Sequence, residues 1–119
     1  MMSFRSGDIV VVDYPHVETA LFTRRPALII SDMPIGPDGL VIWVLMITSS
    51  VNRGWTGDLV IEDHAGAGLP IPSVIRTEKI ATLEAEGAEP IGRIDDALMA
   101  EVRERMVAYL GAPRQNGLN

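Results

Sequence analysis

The sequence contains no cysteine, which excludes disulfides, iron–sulfur clusters and thiolate zinc sites, although it does not fix the redox compartment. Its two histidines, His16 and His64, stand among scattered acids without metal-ligand spacing, so neither a metal site nor a cofactor is expected. Long apolar runs are also missing. The longest, Leu40 to Ile47, has strand length and falls short of the about 18 residues needed to cross a bilayer, so no membrane association is expected. Lysine is nearly absent, with Lys79 alone against nine arginines, and acids outnumber bases to give a formal charge of −6. That balance argues against broad attraction to nucleic acid, which needs a basic face to release counterions, so any RNA site must be local. Two tryptophans, two tyrosines and two phenylalanines leave little for a broad stacking platform. The stretch Met1 to Asp8 carries one positive charge and no apolar segment of signal-peptide type, and a cytoplasmic location is the expectation.

What is present fits one domain over residues 1–113, with a disordered tail expected at 114–119. A hydrophobic fraction of 47% is ample for a packed core. Gly7 and Asp8 open a β-branched run, Ile9 to Tyr14, that Pro15 ends. Residues 15–25 read as a loop, and Ala27 to Ser31 as a second strand. Turn residues between Pro34 and Gly39 precede the third strand, which is apolar on both faces and therefore central. Asp58 to Glu62 is a fourth strand, Ser73 to Leu83 one or two more, and Ile91 to Ile94 a short one. Asp95 or Asp96 can cap a helix from Ala97 to Leu110, with Leu98, Met99, Val102, Met106, Tyr109 and Leu110 mostly on one face; Gly111 and Pro113 end it. Short strands separated by Gly/Pro turns and followed by one helix predict a mainly β fold, a small, strongly bent antiparallel barrel with a C-terminal helix across it.

Three segments, far apart in sequence, place phosphate-handling groups beside strand ends: Arg24-Arg25-Pro26, Ile47-Thr48-Ser49-Ser50, and Ser73 to Ile80 with Arg76 and Glu78. Arginine offers a planar fork that grips a phosphate at two points, and a hydroxyl beside it supplies a further hydrogen bond. Convergence of the three would make an anion site without a metal. Each residue also has a plainer reading. Arg24 and Arg25 can be a solvated pair, Thr48 and Ser49 can satisfy backbone groups at a strand end, and Arg76 with Glu78, at i and i+2, can share a face as part of a cross-strand charge pair. Trp43, inside an apolar strand, is expected in the core. Trp55, in a polar loop, is expected to stack on a base or to anchor a partner.

Gly7-Asp8-Ile9-Val10, Arg24 to Ser31, Ile47-Thr48-Ser49, Gly68 to Ser73 with Lys79-Ile80, and Ile91-Gly92-Arg93 before a helix occur in an order and spacing that resembles the PemK/MazF family of toxin endoribonucleases. The resemblance implies an SH3-like barrel, a homodimer, and metal-independent cleavage of single-stranded RNA at short sequences, inhibited by a cognate antitoxin protein. It implies that Arg25 is the main catalytic arginine and Thr48 the accompanying hydroxyl, with Arg76 and Glu78 where relatives place an arginine and an aspartate. His16 falls where some relatives contact RNA, and Arg24, Ser49 and Trp55 complete the expected substrate contacts. The loop Val17 to Thr23 lacks the glycines of many relatives. The same barrel also hosts a gyrase-poisoning toxin, and a catalytically silent SH3-like interaction module is a further alternative.

The implied chemistry is attack of a ribose 2′-hydroxyl on its adjacent phosphate, which needs a base, a proton donor and positive charge. Arg25 stays protonated and can supply only the charge, so Glu78 or His16 is the candidate proton acceptor.

Overall fold

The β-branched and apolar runs form a six-stranded, wholly antiparallel sheet in a computed structural model that describes residues 3–15 and 22–113. Its strands are β1 (Asp8–Pro15), β2 (Phe22–Ile29), β3 (Val41–Ser49), β4 (Asp58–Val60), β5 (Ser73–Glu84) and β6 (Glu89–Arg93), in the spatial order β4-β5-β3-β2-β1-β6. The third strand is central, as its two apolar faces require, with β2 on one side and β5 on the other. The sheet is not closed: β4 and β6 form its two edges, so the barrel is an open one. The expected tail 114–119 and His16 lie outside the described residues.

The second strand begins earlier than the sequence suggests. Residues 22–25, expected in a loop, pair with β1 through Asp13↔Arg24 and Val12↔Arg25, so both arginines lie within a strand. An opposite charge directly across the ladder favours that extension, and Arg24 donates to Asp13 at 3.2 Å.

β5 is one strand of 12 residues carrying a bulge. Leu45 pairs with Ile80, but the next residue of β3, Met46, pairs with Arg76, which leaves Thr77, Glu78 and Lys79 looped out. Before the bulge β5 is buried on both faces; beyond it, exposed and partly covered residues alternate. This explains Trp43, expected in the core but 46% exposed: it pairs with Thr82 beyond the bulge, beside exposed Ile80, past the part of the face that the helix covers.

The helix α1 (Asp96–Leu110) starts at Asp95, whose carboxylate accepts from Leu98 N at 2.8 Å, and ends at Gly111 in a left-handed conformation, φ 75°. Met99 and Val102 pack onto Ile9, Leu28, Leu45, Ile47 and Ile75 on one side of the sheet. Burial of each such side chain contributes roughly 1.5–3 kcal/mol. The other side packs Val10, Val12, Ala27, Ile29, Val44 and Met46. Leu98 and Met106 pack beside them, but the end of the expected helix stripe is not used in this way, since Leu110 is exposed and Tyr109 is half-exposed. Tyr109 instead donates to Thr77 Oγ1 at 2.6 Å, because the single Thr77 hydroxyl hydrogen already goes to the Gly57 carbonyl.

The loop 61–69 closes over β6 through a backbone-to-backbone approach of Gly68 and Gly92, where a Cβ on Gly92 would strike the Ala67 carbonyl. Gly92→Ala should therefore destabilise the protein by about 1–3 kcal/mol, since backbone has to move to admit one methyl. A thermal melt checks this, and an unchanged Tm would mean that the loop yields without cost.

Candidate active site

The ladder between β2 and β3 runs through Ile29↔Val44, Leu28↔Leu45 and Ala27↔Met46 and then stops. The next residue of β2 is Pro26, which has no N–H to continue pairing. From there the two strands part. Extending the same register by two residues sets Arg25 opposite Thr48, and directly opposed residues point to the same side of a sheet. The gap widens into a groove of about 370 Å³ lined by Arg24, Arg25 and Pro26 from β2, Ile47, Thr48 and Ser49 from β3, Asn52, and the segment Leu69-Pro70-Ile71 with Ser73. The walls are largely apolar, with two arginines and three hydroxyls among them, a combination suited to a ligand that carries a flat apolar body and an anionic group.

The two arginines differ in their surroundings. Arg24 donates to Asp13 and Glu89, and also to the Val11 carbonyl, so its charge is balanced at the rim. Arg25 has no carboxylate partner among the described residues, which leaves its donors for a ligand. Thr48 is 5% exposed and accepts from Asn52 Nδ2 at 3.1 Å. Ser49 Oγ accepts from Val51 N at 3.3 Å and so caps the short 3-10 turn Ser50–Asn52.

Behind this turn lies a buried ion pair. Arg76 donates through Nε and Nη2 to the two oxygens of Asp58 at 3.0 and 2.9 Å, with the side chains only 9% and 7% exposed. The two residues are direct cross-strand partners of β5 and β4. Arg76 also donates to the Asn52 carbonyl at 2.8 Å, and Asp58 accepts from Gly54 N and Trp55 N. The Trp55 ring covers the guanidinium, 4.5 Å from its centroid.

The family described as "PemK-like, MazF-like toxin of type II toxin-antitoxin system" matches residues 5–110. The chain belongs to this family. Among solved structures, the fold is similar to MazF from Deinococcus radiodurans (Form-I), with a TM-score of 0.74 and 21% identity over 94% of this chain and all of that one. It is likewise similar to a MazE-MazF crystal structure (Form-II) from the same organism, with a TM-score of 0.72 and 20% identity over 95% of this chain and all of that one. No curated protein matches.

In this MazF-like chain, then, four of the expected site residues meet in the groove: Arg24, Arg25, Thr48 and Ser49. Three others do not. Arg76, expected to contact substrate, is an internal tie, and its partner is Asp58 rather than Glu78. Glu78, expected to act on protons, stands on the bulge outside the groove and accepts from Gly57 N at 2.9 Å. The i, i+2 rule failed here because residues 77–79 leave the ladder. Trp55 is half-exposed and rests on Arg76. His16 is outside the described residues. Asn52, for which the sequence suggests no role, lines the groove. Its only signal was its position four residues after Thr48. Burial pushes the Tyr14 hydroxyl up to about 12, so it stays protonated and donates to the Lys79 carbonyl.

Hydrogen bonds from Arg76, with smaller help from Gly54 N and Trp55 N, hold the Asp58 carboxyl below its ordinary value against the opposing effect of burial. A depressed folded pKa means that the unfolded chain binds the proton more readily, so this stabilisation is complete above about pH 4 and is lost as pH falls through the folded value. Asp58→Asn should remove that acid dependence and, by leaving Arg76 unpaired, should cost about 3–5 kcal/mol. Denaturant unfolding at pH 7 and pH 3 checks both, and equal stabilities of the variant and the parent at pH 7 would contradict it.

Proposed function

We propose that this chain is an endoribonuclease toxin that cleaves single-stranded RNA at short sequences, works in the cytoplasm as a homodimer, and is held inactive by a cognate antitoxin protein. The observation that carries the proposal is that Arg25 and Thr48 line one groove where the β2–β3 ladder ends, a cation without a carboxylate partner among the described residues and a buried hydroxyl. A phosphate held there would meet a planar guanidinium fork and an O–H donor. The 2′-hydroxyl gives up its proton to water and its oxygen attacks the adjacent phosphorus as the bond to the 5′-oxygen breaks; that oxygen takes a proton from water, leaving a 2′,3′-cyclic phosphate on one fragment and a 5′-hydroxyl on the other. Arg25 stabilises the charge that builds on the phosphoryl oxygens, and Thr48 donates to one of them. The apolar wall of Pro26, Pro70 and Ile71 suits an unstacked base, which favours unpaired RNA, and the need for a 2′-hydroxyl excludes DNA as substrate. Glu78 is not in the groove, so charge stabilisation rather than a named base supports the reading. The antitoxin partner is supported by the family and by the solved MazE-MazF complex of the Deinococcus radiodurans relative.

Cleavage of a defined single-stranded RNA in EDTA tests this, with a 5′-hydroxyl product expected; a 5′-phosphate would reject the mechanism. Arg25→Ala should lower the rate by roughly 10²–10³ with little effect on folding, and Thr48→Ala by less. Arg25→Lys keeps the charge but loses the two-pronged geometry, so a substantial drop identifies bidentate contact and near-normal activity a general field effect.

Trp43, Ile80, Val107 and Leu110 leave apolar area exposed, which a symmetric partner would cover. Light scattering should give about 26 kDa, twice the 12.9 kDa chain, at micromolar concentration. A mass of one chain would count against the dimer.

A further inference from the structure

We propose that Asn52 is a positioning residue that turns the Thr48 hydroxyl donor-first into the groove, and that the buried Arg76–Asp58 pair exists to hold Asn52 in place. The proposal rests on the nuclease reading above. A threonine hydroxyl has one hydrogen and two lone pairs, and without guidance it can present either. Asn52 Nδ2 donates to Thr48 Oγ1 at 3.1 Å, which occupies one lone pair. Among the described residues, no acceptor takes the Thr48 hydrogen. Because Thr48 is otherwise buried and lines the groove, that hydrogen is left for a ligand there. A phosphate oxygen can only accept. A hydroxyl presented hydrogen-first matches it, and one presented lone-pair-first would repel it.

Asn52 can do this only if it is itself held. It ends the turn Ser50–Asn52, and its chain is pinned on both sides. Its own carbonyl accepts from Arg76 Nη2 at 2.8 Å, and two and three residues later Gly54 N and Trp55 N donate to Asp58 Oδ2 at 3.1 and 3.2 Å. Arg76 and Asp58 are bound to one another through two hydrogen bonds and shielded by Trp55. The pair thus fixes a segment of chain and not only two strands. Asparagine is needed rather than aspartate, since a carboxylate of the same size would accept the Thr48 hydrogen and withdraw it from the groove.

The test uses the full chain and a defined single-stranded RNA. Asn52→Ala should lower kcat by about 10- to 100-fold with a smaller change in KM. Asn52→Asp should fall further at pH 7 and recover in part as pH is lowered and the new carboxyl gains a proton to donate. In a Thr48→Ala background, Asn52→Ala should cost nothing more, because a residue acting through the hydroxyl has nothing left to position. The same fold-loss in both backgrounds, or an Asn52→Asp variant as active as the parent at pH 7, would overturn the proposal. Tm measurements identify variants that fail to fold. For such a case, the Asn52 side-chain amide NMR signal of the parent is compared with that of Thr48→Val: a shift supports the contact and an unmoved signal overturns it. If the parent cuts no RNA at all, the nuclease reading fails, whereas loss of the amide shift with an active parent sinks only the role given to Asn52.

Discussion

The end of the β2–β3 ladder at Ala27 and Met46 is the constraint on which the site depends. Strands in a sheet stay about 4.8 Å apart while their backbones exchange hydrogen bonds, and no ligand can enter between them. Pro26 withdraws a donor at the point where pairing with β3 stops. Everything that follows, the opening of the groove and the confrontation of Arg25 with Thr48, comes from that parting. The rest of the sheet keeps it local, because β2 remains paired to β1 through Phe22 and β3 to β5 through Ser49. The groove is thus a gap between two strands that are each supported on their far side.

Charge is divided within the groove in a way that a net value of −6 conceals. Asp13 and Glu89 engage Arg24 at the rim, and Asp58 engages Arg76 behind the turn. Arg25, beside Arg24 in the groove lining, has no such partner among the described residues. Exposed ion pairs of the Arg24 kind contribute little stability, about 0–1 kcal/mol, but they hold a long side chain in one direction and lower the field away from the site. An acidic protein can in this way present one focused cation rather than a basic face.

Much of the fold was legible in the sequence, and the reasons are local. Strands β1 and β3 announced themselves by β-branched and apolar runs between turn residues, and α1 by its Asp95 cap, its apolar spacing and Gly111. The groove residues Arg24, Arg25, Thr48 and Ser49 were legible because they flank those runs. What could not be read was tertiary in origin. The start of β2 was hidden because Phe22 to Arg25 is held by pairing with β1 rather than by its own propensity. Trp43 escapes a local reading because burial depends on what lies across the sheet, and beyond the bulge it is left 46% exposed. Arg76 and Glu78 were joined by a period-two count that holds only in an unbroken ladder. Asn52 gives no pattern at all, since its importance comes from a carbonyl bonded to a residue 24 positions away.

The three looped-out residues of β5 have a meaning for how such a chain can vary over evolutionary time. They divide the longest strand into two stretches whose alignments with β3 are counted separately, one beside the groove and one at the far end of the sheet. A residue gained or lost after Thr77, whose buried hydroxyl ties this point of the strand to Gly57 and Tyr109, changes the size of the kink while leaving Ser73 to Arg76 opposite Met46 to Ser49. The bulge thus acts as a spacer, so that the far half of the sheet can drift in length and composition without disturbing the alignment at the groove.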